Sequence, residues 1–136
     1  MYVSALTLVD FRSHRNVEIA LKPGSTVFIG ANGQGKTNLV EAIDFLSRMD
    51  SHRVSTDVPL VRVGAEQAII RSVVQRDDRE LLVEMEINPN RANRVRVNGN
   101  LLTKNRDVIG AVKTVIFSPE DLVLVKGDPG DRRKFI

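Results

Sequence analysis

The chain has no cysteine and no tryptophan, a single tyrosine, and only 4% aromatic residues. Without cysteine there can be no disulfide framework, no thiolate zinc centre and no cysteine nucleophile. Any metal would have to come with another ligand. No apolar run approaches the roughly 18 residues that a membrane-spanning helix needs, and residues 1–10 lack the basic and apolar blocks of a secretory signal. The sequence therefore predicts a cytoplasmic protein with no membrane association. The shortage of aromatic rings also removes the stacking platforms on which many single-strand binders hold bases.

What is present suits a folded domain. The 136 residues, 42% hydrophobic and 27% charged, are enough for one core. Lysine and arginine outnumber acidic residues by 20 to 17, giving a net charge of +3 that says little about partners. Its distribution is more informative, with basic groups at Arg12, His14 and Arg15, at Arg91, Arg94, Arg96, Lys104 and Arg106, and at Arg132, Arg133 and Lys134. Arg91, Arg94 and Arg96 flank a hairpin and are candidate contacts to DNA phosphates, although such a cluster serves equally well as a solvated face.

Period-two alternation predicts strands over 1–10 and 16–21, then over 67–75, 80–87 and 94–97. The last three are separated by polar turns, so the middle of the chain reads as an antiparallel β layer. Asn98-Gly99 after Val97 suits a two-residue hairpin turn, which needs positive φ at both positions. Two compact apolar runs, 26–29 and 113–117, read as strands buried on both faces of a mainly parallel sheet. Between 37 and 49 the apolar Leu39, Val40, Ile43 and Leu46 predict one helical face, with Glu41, Asp44 and Arg48 on the other. Residues 50–64 read as loop. Ser118-Pro119-Glu120-Asp121 has the form of a capping box opening a short helix to about 126, and Asp128-Pro129 opens another.

The chemistry is concentrated at Gly30-Ala31-Asn32-Gly33-Gln34-Gly35-Lys36-Thr37, which fits G-x-x-x-x-G-K-[ST] between a predicted strand and a helix. In such a loop the glycines let backbone N–H groups point inward as an anion-binding nest at the positive end of the helix dipole. Lys36 is expected to reach the β- and γ-phosphates of ATP, and the Thr37 hydroxyl to ligate the accompanying Mg²⁺. A P-loop ATPase also needs an acidic residue after a second buried strand. The nearest candidate, Leu81-Leu82-Val83-Glu84, alternates into Met85 and Ile87 as a half-buried antiparallel strand does, and is rejected. The expectation is an incomplete domain of class α/β, the front part of a longer protein.

Phe11-Arg12-Ser13-His14, the loop Gly-Ala-Asn-Gly-Gln-Gly-Lys-Thr-Asn, and Leu39-Val40-Glu41-Ala42-Ile43 together resemble the SMC and RecF group of ABC-type ATPases. Ser51-His52-Arg53, Phe117-Ser118-Pro119-Glu120-Asp121-Leu122 and Gly127-Asp128-Pro129-Gly130-Asp131-Arg132-Arg133-Lys134-Phe135 resemble its RecF branch. The resemblance implies a P-loop ABC-type ATPase head, represented by its first lobe, with an antiparallel β layer and truncated before the signature motif and the Walker B acid. It implies a slow, ATP-gated homodimer that binds single-stranded or gapped DNA and works with RecR and RecA in replication, gap repair and the SOS response. It also implies that Asn38, Arg12 and Arg53 lie near the nucleotide. Where related heads carry a metal-binding glutamine, this chain has Ser118-Pro119-Glu120-Asp121, and the capping box already accounts for Ser118 and Asp121.

A small P-loop phosphotransferase is the alternative from another class. It would carry an arginine-bearing lid and an acceptor pocket soon after the P-loop helix, where this chain has an antiparallel layer. An ABC transporter subunit would call for an aromatic adenine platform and a glutamine near Ser118. An inert scaffold fragment is the remaining reading.

Overall fold

The computed structural model describes residues 1–119, as six strands, one α-helix and two short 3₁₀ turns. The strands are β1 (Tyr2–Phe11), β2 (His14–Ala20), β3 (Ala68–Arg76), β4 (Arg79–Ile87), β5 (Arg94–Val97) and β6 (Asn100–Leu101). They form one sheet in the order β2-β1-β3-β4-β5-β6, every pair antiparallel. Alternation is visible in the burial of β4, where Val83, Met85 and Ile87 are buried while Glu84 and Glu86 face outward. Turn chemistry sets the register. Asp77 and Asp78 both take positive φ between β3 and β4, and Asn98 and Gly99 do so between β5 and β6, as type I′ hairpins require.

Helix α1 (Lys36–Arg48) packs against β1 and β3. The core between them holds Leu6, Leu8 and Phe11 from β1, Ala42, Phe45 and Leu46 from α1, and Ile70 from β3. Met49, at φ 61°, closes the helix by donating its N–H to the Phe45 carbonyl at 2.8 Å, and Arg48 complements the negative end of the dipole.

Three expectations are corrected. The run 26–29 is not a strand: Val27 and Ile29 are 77% and 90% exposed. Nor is 113–117, where Val115 and Phe117 lie open to solvent. A parallel strand is held by ladders on both sides, and among the described residues neither run has a partner strand. Thr114 Oγ1 instead ties the second run to α1 through Asp44 Oδ1 at 2.8 Å. The helical face is also rotated from the expected one: Val40 is exposed, whereas Glu41 and Asp44 are buried. These carboxylates are tolerated inside because cations and hydroxyls meet them. The helices predicted beyond Pro119 lie outside the described residues.

Candidate functional site

The loop feeding α1 is shaped by two left-handed glycines, Gly33 at φ 81° and Gly35 at φ 86°. A side chain there costs about 1–2 kcal/mol in backbone strain alone. Gly33 has open space around it, whereas a Cβ on Gly35 would sit 2.6 Å from His14 Nε2 and 2.8 Å from Ser13 Oγ. The β1–β2 turn therefore rests directly on the loop. His14 Nε2 lies 3.0 Å from the Gly35 carbonyl, and Asn38 Nδ2 donates to Ser13 Oγ at 3.2 Å.

Helix α1 starts without a side-chain cap and without an acidic residue in its first turn. The positive end of its dipole, equivalent to about half a charge, is left for an outside anion. Lys36 Nζ donates to the Ala31 carbonyl at 2.8 Å and to that of Gly30, so the loop curls around its own ammonium group. Two clefts meet here. One of about 350 Å³ is lined by Ser13, Asn32, Gly33, Gly35, Lys36, Thr37, Asn38 and Arg53. The other, about 610 Å³, shares Lys36, Thr37 and Arg53 and adds Phe28, Val40, His52 and the 116–119 segment. A convergent ammonium, a guanidinium, a hydroxyl and an uncapped helix end suit a phosphate chain. They also suit a hard cation brought with it, for which Thr37 supplies the hydroxyl. Among the described residues no cluster of three His, Asp or Glu forms a metal site of the chain's own.

Behind this surface lies a buried acid. Glu41 is fully buried, and its carboxylate accepts from Arg12 Nε at 2.9 Å, Arg12 Nη2 at 2.6 Å, Ser51 Oγ at 2.5 Å and Arg53 Nη1 at 3.0 Å. Burial pushes its pKa up, but the hydrogen bonds from Arg12 and Ser51 and the charges of Arg12 and Arg53 outweigh that and hold it below the ordinary carboxylate value. Arg12 takes φ 53° in the two-residue turn, and its forked bond to Glu41 secures that strained conformation. Arg53 Nη1 also donates to Asn38 Oδ1 at 2.8 Å.

The structure thus gathers Gly33, Gly35, Lys36, Thr37, Asn38 and Arg53 at one place, with Asn32 on the smaller cleft and the Gly30 and Ala31 carbonyls on the ammonium. Gln34 lines neither cleft, and neither does Arg12, which is joined to the site through Glu41. Sequence reasoning missed the roles of Glu41, Ser13 and His14. A signal for Glu41 was available: a lone acid flanked by Leu39, Val40, Ala42 and Ile43.

Of the arginines proposed for DNA, Arg94 and Arg96 lie on β5 and Arg91 in the turn before it, and an acid partly neutralises the two on the strand. Arg96 Nη1 donates to Glu86 Oε1 at 2.7 Å, which raises the Arg96 pKa, and Arg94 stands 4.0 Å from the same carboxylate. Arg71 pairs with Glu84 at 2.8 Å on the same face, and Arg91 is bound to Asn88 and Gln67.

Residues 1–118 match the family model described as the AAA ATPase domain. The whole chain is 62% identical to the DNA replication and repair protein RecF of Nocardioides sp. (strain ATCC BAA-499 / JS614), of which it covers 32%. A solved structure of the recombination mediator protein RecF with ATP, in the RecFOR pathway, superposes at a TM-score of 0.88 with 35% identity, over 98% of this chain and 37% of that one. A structure from work on ATP-driven dimerization and DNA-stimulated activation of SMC ATPases superposes at 0.82 with 22% identity, covering 98% of this chain and 96% of that one, which shows a shared fold. The chain spans about a third of the length of the curated relatives it matches.

Proposed function

We propose that this chain, which belongs to the AAA ATPase domain family, forms the phosphate-holding lobe of an ATP-gated DNA-binding protein of the RecF type. The observation that carries this reading is the uncapped start of α1, with Lys36 and Thr37 on both clefts and Arg53 beside them. The nest and Lys36 bind the β- and γ-phosphates, and Thr37 holds the Mg²⁺ that neutralises charge between them. Asn38 and Arg53 flank the phosphates. The relatives are about three times as long, and we place the signature motif and the Walker B acid in the part of them beyond this match. ATP then acts as a switch that closes two heads into a homodimer on single-stranded or gapped DNA, in the cytoplasm, in work shared with RecR and RecA during replication and gap repair.

The phosphotransferase alternative has no support: the residues after α1 go into β3, β4 and β5, and the matched relatives are RecF proteins. Titration calorimetry of Mg-ATP against wild type and Lys36→Ala tests the reading. Removing the charged hydrogen bonds of Lys36 is expected to weaken binding by at least about tenfold, at roughly 1.5–3 kcal/mol for a charged hydrogen bond. Equal affinities would overturn it.

A further inference from the structure

We propose that Glu41 is a positioning residue of the phosphate site, a buried carboxylate that aims Arg53 at the bound anion while Arg12 holds the carboxylate in place. The inference rests on the phosphate-site reading above and adds a residue that touches neither cleft.

The geometry is that of one acid shared by two bases. Arg12 binds Glu41 through a fork, Nε to Oε2 and Nη2 to Oε1, the arrangement that fixes both partners in one plane. Ser51 Oγ and the Arg53 guanidinium take further acceptor positions on the same carboxylate. The Arg12 fork alone balances the charge of Glu41. Arg53 is therefore the excess cation, and among the described residues no second carboxylate pairs with it. Its side-chain hydrogen bonds among the described residues, to Glu41 and Asn38, both use Nη1. Among the described residues Nε and Nη2 meet no acceptor, which leaves them for one from outside, on a side chain that lines both clefts together with Lys36 and Thr37. Asn38 lies on α1 two residues after Lys36, so the two acceptors that orient Arg53 move rigidly with the helix whose start forms the nest.

Burial decides why an acid is used. An exposed glutamate would hold an arginine loosely, because solvent competes for both groups and long side chains resist being fixed. Glu41 has no exposed surface, and removing one partner from such a cluster leaves an unpaired charge inside. The guanidinium is therefore oriented before any ligand arrives, and little side-chain freedom is lost on binding.

Three roles for Glu41 give different signs. As a mere nearby negative charge it would repel phosphates, and Glu41→Gln would tighten nucleotide binding. As a purely structural group, its loss would lower the unfolding midpoint while the folded protein kept its affinity. As a positioning residue, its loss weakens binding, and does so through Arg53. The experiment is calorimetric titration of Mg-ATP into the full-length protein carrying Glu41→Gln, Arg53→Ala or both, with Glu41→Asp and Lys36→Ala alongside. Glu41→Gln is expected to weaken Mg-ATP about tenfold when Arg53 is present, about one charged hydrogen bond, and to have less than a twofold effect in the Arg53→Ala background. Glu41→Asp keeps the buried charge but shortens the reach to Arg53, and is expected to weaken binding too. It carries the test if Glu41→Gln does not fold. Wild-type or tighter affinity in Glu41→Gln, or in Glu41→Asp should that be the variant that folds, overturns the proposal. So does an equal loss with and without Arg53. Wild-type affinity in Lys36→Ala instead overturns the phosphate-site reading on which the proposal stands.

Discussion

Replacing Gly35 by alanine tests the contact between the β1–β2 turn and the glycine loop that leads into α1. Three terms contribute. Holding an L-residue at the φ of 86° found there costs about 1–2 kcal/mol. The new methyl would stand 2.6 Å from His14 Nε2 and 2.8 Å from Ser13 Oγ, so the turn must lift. That endangers the His14 contact to the Gly35 carbonyl and the Asn38 bond to Ser13, each worth about 0.5–1.5 kcal/mol. Against these, alanine restricts the unfolded chain and returns about 0.4–1 kcal/mol. The net expectation is a loss of roughly 2–3 kcal/mol for Gly35→Ala. Gly33→Ala is the internal control, because its φ of 81° brings the same backbone strain while none of the described residues lies within 4 Å of the added carbon. It should cost about 1–2 kcal/mol less. Urea denaturation of the nucleotide-free protein measures both, and a Gly35→Ala/His14→Ala double variant should lose less than the sum of its singles. Equal destabilisation by the two glycine substitutions would mean that the turn does not bear on the loop, and the account of the site's back wall would fail.

The pKa of Glu41 is depressed in the folded state, so its contribution to stability is complete above the ordinary value of 4.5 and is lost as pH falls through the lower folded value. Stability of wild type should therefore decline on acidification below about pH 4.5, and Glu41→Gln should flatten that part of a denaturation profile taken against pH. An identical acid limb in both proteins would contradict the buried cluster. For the outer face of the sheet, changing Arg91, Arg94 and Arg96 together to alanine should make log DNA affinity fall less steeply with log salt in the presence of ATP. The expected reduction in slope is roughly 0.9 for each DNA phosphate that the arginines no longer neutralise. An unchanged slope would place the DNA surface elsewhere. Gly99→Val puts a β-branched residue at a φ of 81° in the β5–β6 turn and should cost at least about 1 kcal/mol in thermal or urea unfolding.

The strands were legible where burial has a local period. β3, β4 and β5 fall within a residue of the runs read from alternation, because one face of an antiparallel sheet is buried and the other is wet. Asn98-Gly99 announced its own turn in the same way. The runs 26–29 and 113–117 were misread because an apolar, β-branched segment states that it favours burial without stating what pairs with it, and pairing is a non-local fact. Glu41 was misplaced for a related reason. Helical periodicity ranks a carboxylate as outward-facing, but its fate here is decided by Arg12, 29 residues away, and by Arg53, 12 residues away. The shape of the loop before α1 was legible because glycine spacing writes backbone conformation directly into sequence, and Gly33 and Gly35 do take positive φ.

The open backbone of the two unpaired runs has a practical consequence for handling the chain. Val27, Ile29, Val115 and Phe117 present apolar side chains beside N–H and C=O groups that no ladder among the described residues engages, on segments free of charge except for Lys113. Such segments template edge-to-edge association between copies. The 136-residue chain prepared by itself should scatter light increasingly with concentration, and Val27→Lys or Val115→Lys should raise its solubility limit.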